Sequence, residues 1–174
     1  MAANVPFAEL DTYEKVEREG YVGAFAAVNN ISELYDAAEP FTYYKPANLD
    51  ALTCYYYDAD FTNGREGALF HETIPVSSSY TIFVGTDDCI FQADTDADND
   101  RVLVIFKDSY GNALLPFLTE SFSTIYLCDF RSFNTNAYTF LEQVGATDVA
   151  FAMSTVACTT SAKVDTLTKT LGVS

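Results

Sequence analysis

The feature that most constrains this chain is an unbroken apolar run that ends in a polar turn: residues 101–130 read RVLVIFKDSYGNALLPFLTESFSTIYLCDF. VLVIF shows no alternation of apolar and polar residues, which is the pattern of a strand buried on both faces. It runs into Asp108-Ser109-Tyr110-Gly111-Asn112, beyond which GNALLPFLTES has helical spacing. Strand TIYLCDF, helix NAYTFLEQVG and strand DVAFAMS follow. This β-α-β-α-β order predicts parallel strands covered by helices on both faces, a three-layer α/β/α arrangement over residues 101–174. Gly145 is placed to end the second helix, whereas Pro116 should kink or shorten the first.

Residues 1–100 read differently. TYEKVER, PFTYYKP, LTCYYYD, YTIFVG and CIFQAD are short strand-like segments separated by Pro40, Pro46, Pro75, Asn63-Gly64 and the run Ser77 to Ser79. ISELYDA suits a short helix, and KVDTLTKTLG a terminal one. With no repeat or linker and 174 residues, the expectation is one α/β domain over 1–174, with a strand-rich part (1–100) and a βαβαβ part (101–174).

Composition narrows the partners. A net charge of −16 repels phosphate backbones and anionic lipid, so neither nucleic acid nor a membrane surface is an expected partner. No apolar window is long enough to span a bilayer, so no membrane insertion is expected, and MAANVPFAEL shows no signal peptide. Cys54, Cys89, Cys128 and Cys158 form no C-x-x-C pair and have no histidine at zinc spacing, so no metal is expected. Cys128, in an apolar strand pattern, reads as a buried thiol; spacing leaves a disulfide among the others open. DTDADND places acids at alternate positions but lacks the glycine and the terminal glutamate of a calcium loop, and reads as a solvated turn. GxGxxG and GKS patterns are absent, and no cofactor is expected.

Ser109 is the chemical focus. A hydroxyl where a strand's carboxyl end meets a helix N-terminus sits among unpaired backbone N–H groups, the geometry of an exposed serine nucleophile or of an anion site. The N–H groups of Tyr110 and Gly111 and the Asn112 amide are candidate oxyanion donors. The structural alternative is that Ser109 merely caps the helix, with Asp108 favouring its dipole. The base is the weak point: His71 is the single histidine, and no D-x-H element accompanies it. Beside Glu72, it reads more readily as a hydrogen-bonded surface residue than as a displaced base. Asp129 and Arg131 read as a turn or salt bridge, and Tyr43-Tyr44 and Tyr55-Tyr56-Tyr57 as sheet packing rather than a sugar-stacking face.

K-D-S-[aromatic]-x-N at 107–112, P-F-L at 116–118 and the strand-D-x-R-x-[aromatic]-N block ending at Asn134 resemble the C-terminal part of the DHHW family. EGYVGAF, PFTYYKP and YTIFVG extend the likeness more loosely upstream. The family is similar to SGNH hydrolases, with a flavodoxin-like α/β/α fold, and distantly to enzymes that O-acetylate alginate and other exported polysaccharides. The resemblance implies a Gram-positive, extracellular or surface-associated protein acting on an acyl ester or polysaccharide, with Ser109 as nucleophile. It also implies that the Asp and His of the name-giving motif lie upstream of the matching region; with one histidine and no tryptophan, the motif is absent here. Gly85-Thr86-Asp87-Asp88 stands where the family more often shows a Gly-Gly-Asn-like turn, so Gly85 joins the oxyanion candidates while Asp87, a carboxylate, cannot donate. The site is thus expected to be incomplete or inactive. Two alternatives stand beside it: a non-catalytic module binding glycan or protein, and a module holding an anion at residues 109–112. Exposed sheet edges offer a route to a homodimer.

Overall fold

The computed structural model describes residues 7–87 and 90–172. Strands β1 (Glu14–Tyr21) and β2 (Glu39–Lys45) form an antiparallel ribbon, joined through short helices α1 (Gly23–Asn29) and α2 (Ser32–Tyr35). The main sheet has six strands: β3 (Thr53–Tyr57), β4 (Arg65–Gly67), β5 (Ile90–Asp94), β6 (Val102–Lys107), β7 (Thr124–Asp129) and β8 (Asp148–Ala152). Their spatial order is β4-β3-β5-β7-β6-β8.

Only part of this sheet is parallel. β6 pairs in parallel with both β7 and β8, whereas β5 runs antiparallel to β7, and β3 antiparallel to both β5 and β4. The strand-rich half and the βαβαβ half therefore share one mixed sheet. Their junction is β5 against β7, where Phe91 pairs with Leu127 and Ala93 with Ile125.

Both faces carry apolar cores. One is built from Tyr56, Phe91, Ile105, Leu115, Ile125 and Leu127. The other joins Val104, Phe106, Tyr126 and Cys128 to Phe133, Ala137 and Phe140, the last two on helix α3 (Ala137–Val144). The sequence supports α3 at both ends. The Asn136 side chain accepts from the Thr139 N–H, and Gly145 adopts φ +66° at the C-terminus.

The first core is covered by something other than the predicted α-helix. Residues Ser109–Phe117 form a 3-10 segment with Pro116 inside it, delivering Leu115 to the core. Proline has no N–H to extend an α-helical ladder and its ring crowds the preceding turn, so the segment stays in shorter-range turns. YTIFVG is likewise not a strand: Val76–Ile82 is 3-10, and only Phe83 makes an isolated bridge, to Phe70. The ribbon seats on this side through Tyr43, Ile82 and Phe83, with Ala113 packed against them.

β8 also departs from expectation. Its continuous apolar pattern predicts a strand covered on both faces, yet among the described residues it is an edge strand with Val149 and Phe151 46% and 51% exposed. Helices α4 (Thr155–Thr159) and α5 (Ser161–Thr170) follow it. Cys54 and Cys128 are buried free thiols and Cys158 an exposed one; Cys89 lies outside the described residues. No helix among the described residues is long and apolar enough to cross a membrane.

Candidate active site

The parallel strands aim their carboxyl ends at one edge of the sheet, and the residues that follow β6, β7 and β8 meet there. Such edges are where open α/β sheets gather ligands. Immediately after β6, Asp108 turns the chain: its carboxylate accepts the Tyr110 N–H at 3.1 Å and the Ser154 N–H, beyond β8, at 2.8 Å. Asp108, not Ser109, is therefore the cap of the 3-10 segment. Burial pushes the Asp108 carboxyl up, but the Ser154 backbone and hydroxyl, the Tyr110 N–H and the charge of Arg131 together hold it below its ordinary value.

Ser109 thus stands first in the 3-10 segment, half-buried, with the capping task taken by its neighbour. The Tyr80 hydroxyl steadies the turn from the other side, near the carbonyls of Ser109 (3.0 Å) and Tyr110 (2.9 Å). Gly111 is required where it stands: a Cβ there would lie 2.4 Å from the Lys107 Cβ. A cavity of about 490 Å³ opens beside the turn, between Tyr110, Gly111 and Leu114 on one side and residues 152–155 on the other.

The other predicted donors are largely committed elsewhere. The Tyr110 N–H goes to the Asp108 carboxylate and the Gly111 N–H to the Asp108 carbonyl, at 2.9 Å. The Asn112 amide donates to Asp87 at 2.9 Å, and its Oδ1 is buried with no partner among the described residues. The expected oxyanion donors at Tyr110, Gly111 and Asn112 are thus engaged within the turn: the Asp108 and Asp87 carboxylates accept from Tyr110 and Asn112, and the Asp108 backbone carbonyl accepts from Gly111.

Asp87 anchors an ion network that the sequence reading missed. Lys107, the last residue of β6 and 2% exposed at its side chain, reaches Asp87 at 2.7 Å and the buried Asp129 at 3.2 Å. Arg131 grips Asp129 with Nε at 2.7 Å and Nη2 at 2.5 Å, and also reaches Asp87 at 3.2 Å. The Asp129–Arg131 salt bridge was legible as D-x-R; the buried lysine beneath it was not, although a lysine closing VLVIF was the available signal. For Asp87, burial raises the carboxyl's proton affinity, but Lys107, Asn112 and Arg131 outweigh it and hold the group below the usual carboxylate range.

His71 is placed in a different role. Its Nε2 lies 2.6 Å from the Tyr56 hydroxyl, and its ring packs under Gly85, where a Cβ would come within 2.8 Å of it. Tyr56 has one hydroxyl hydrogen, directed at the Val84 carbonyl at 2.5 Å, so His71 Nε2 is the donor to the phenol oxygen. Val84 and Gly85 both have positive φ, +64° and +76°. A β-branched residue there is strained by about 1–3 kcal/mol. The tight turn it helps make carries the chain from the His71 layer to Asp87. Among the described residues, no group of three or more His, Cys, Asp or Glu is arranged to hold a metal ion.

Comparison with known proteins agrees with this architecture. A family model described as DHHW protein matches residues 3–128. It thus takes in the strand-rich half, where the sequence likeness was looser, and ends inside β7. A DHHW family protein from Eubacterium siraeum superposes with a TM-score of 0.85 at 36% identity, over 96% of this chain and 55% of that one. Bacillus cereus PatB1 superposes with TM-scores of 0.65 (carrying a sulfonyl adduct) and 0.66, at 18% and 19% identity, covering 84% and 87% of this chain and 48% and 53% of PatB1. The PatB1 likeness is one of fold, and the chain spans about half the length of each solved relative. The curated proteins include no match. With the family model covering well over half of its length and a solved family member superposing on nearly all of it, this chain belongs to the DHHW family.

Proposed function

We propose that this chain carries the nucleophile side of an SGNH-like acyl-transfer site, with Ser109 attacking an acyl ester and a glycan hydroxyl or water as the acceptor. The observation that carries the proposal is the division of labour at the turn: Asp108 caps the 3-10 segment, which leaves the Ser109 hydroxyl at a strand's carboxyl end without that structural task, and the two residues that follow it, Tyr110 and Gly111, line a cavity. The fold likeness to PatB1, itself seen with a sulfonyl adduct, supports the reading. In the reaction, Ser109 Oγ loses its proton to a base, bonds to the acyl carbon and expels the donor alcohol, which takes a proton; the acceptor then displaces Ser109.

The base must come from outside the groups described, since the single histidine is engaged with Tyr56. Loss of the base costs on the order of 10⁶ in kcat in subtilisin, leaving ~10³–10⁴-fold over water. The chain alone is therefore a very slow esterase. Incubation with a sulfonyl fluoride and with a fluorophosphonate, Ser109→Ala serving as control, tests the proposal. Slow labelling confined to Ser109 supports it; labelling that persists in Ser109→Ala, or none even when the remainder of a family domain is supplied, refutes it.

A second reading, a non-catalytic module for glycan or protein, is favoured by the engaged Tyr110, Gly111 and Asn112 donors. Saturable glycan binding that survives Ser109→Ala is its signature. The tyrosines offer it little, because Tyr43 and Tyr56 are buried and Tyr57 packs on Phe61 with ring centroids 4.5 Å apart.

A further inference from the structure

We propose that the pocket between α5 and the segment joining β7 to α3 is a second binding site, for a phosphate group carried as an ester on a small hydroxylated molecule. The site is separate from the Ser109 turn and stands whether or not that serine is a nucleophile.

The pocket holds about 450 Å³, a volume within the range of small-molecule sites. Arg131, Asn134, Thr135 and Asn136 line it from the β7–α3 segment, and Lys169 from α5. In a chain of 25 acidic and 9 basic residues, no acidic side chain is part of this lining. A cavity of similar size at the amino end of the parallel strands, about 440 Å³, is lined by Asp96 and Glu120 instead. Lys15, Lys45, Arg65, Arg101 and Lys107 each hold a carboxylate elsewhere, whereas Lys169 makes no ion pair among the described residues.

The pocket is rich in uncommitted donors. Arg131 spends Nε and Nη2 on Asp129, and Nη2 also reaches Asp87, so Nη1 is the part of the guanidinium without a partner among the described residues. Asn136 caps α3 through Oδ1, 3.1 Å from the Thr139 N–H, which orients its amide and leaves Nδ2 free. The side chains of Asn134 and Thr135 make no hydrogen bond among the described residues.

These donors select the ligand. The Arg131 fork that would match a planar carboxylate is already filled by Asp129, and what remains are separate single donors: one guanidinium nitrogen, an ammonium and amides. A phosphate ester suits that set, with close to two negative charges at pH 7 and three acceptor oxygens to share among donors. Asp129 stands behind the guanidinium, 1% exposed and paired with both Lys107 and Arg131, so its charge is answered before a ligand arrives. Asn134 and Thr135 can both donate and accept, which fits hydroxyl groups on the carrier.

The test titrates glucose 6-phosphate, inorganic phosphate and glucose into the chain at fixed ionic strength while amide chemical shifts are followed. Glucose 6-phosphate should saturate shifts at residues 130–136 and 166–170, inorganic phosphate should move the same amides with lower affinity, and glucose should move none. Equal affinity for the two phosphates identifies free phosphate as the ligand of the same site. Lys169→Glu should weaken binding about tenfold or more, because a hydrogen bond to a charged group is lost and a like charge takes its place. Lys163→Glu alters the net charge equally from outside the pocket lining and should change affinity by less than about twofold. Asn134→Ala should narrow the gap between glucose 6-phosphate and inorganic phosphate, and Ser109→Ala should leave binding unaltered. Three results overturn the proposal: shifts that do not saturate, glucose binding as tightly as its phosphate, or Lys163→Glu as impaired as Lys169→Glu. The last marks a response to net charge, an adventitious ion only.

Discussion

Asp129→Ala should be among the most damaging single changes in this protein. The Asp129 side chain is 1% exposed and answers two cations: Lys107, 2% exposed, and Arg131 through a two-point grip. Removing it leaves Lys107 with Asp87 alone, at the mouth of the site, while Arg131 competes for the same carboxylate. Breaking one side of a buried pair costs about 3–5 kcal/mol, because the remaining charge stays desolvated. For a domain of this size that lowers Tm by roughly 6–20 °C, at about 2–4 °C per kcal/mol. Lys107→Met should cost less, by about 1 kcal/mol or more, since Asp129 keeps the Arg131 grip and Asp87 keeps Arg131 and Asn112. Arg131 is 42% exposed and can be rehydrated, a route closed to Lys107. The double variant should be milder than the sum of the singles, because it removes both charges together. Urea denaturation measures all three, with an unchanged slope required for a fair comparison. An Asp129→Ala midpoint within about 1 kcal/mol of the parent, or Lys107→Met as the worse variant, would refute the assignment of Asp129 as the hub.

Gly111→Ala places a methyl 2.4 Å from the Lys107 Cβ and should cost about 1–3 kcal/mol, read by denaturation, while abolishing Ser109 labelling through the displaced turn. Asn136→Ala removes the α3 cap and should cost about 1 kcal/mol, with amide exchange rising first in that helix's opening turn. Asp87, Asp108, Glu72 and Asp148 all have carboxyls held below their ordinary values. Each folded pKa lies under the unfolded one, so the unfolded chain binds protons first; their stabilisation is complete above about pH 4 and is lost as pH falls through the depressed values. A flat midpoint on acidification below that pH would contradict it. On the alkaline side, burial raises Tyr80 and Tyr126 to about 12. Their stabilisation is present below the unfolded value of about 10 and is lost as pH climbs toward 12, visible as cooperative unfolding accompanying tyrosine ionisation at 295 nm.

The sequence by itself determined what depends on neighbours along the chain. VLVIF, TIYLCDF and DVAFAMS point to parallel strands because continuous apolar runs alternating with helical patterns suit strands covered on both faces, although β8 proves to be a half-exposed edge, and Asn136 and Gly145 bracket α3 because caps are local chemistry. The K-D-S turn was visible for the same reason. Tertiary structure decided what required distant segments to meet. Pro116 and packing on the sheet turned an expected α-helix into a 3-10 segment, and the strand-rich half joined the same sheet through β5. The task of Asp108 depends on Ser154, 46 residues away, and that of Asp87 on Lys107 and Arg131, contacts that no spacing rule encodes. His71 could be counted in the sequence but not assigned, because its role follows from Tyr56 arriving across the fold with only one hydroxyl hydrogen to give.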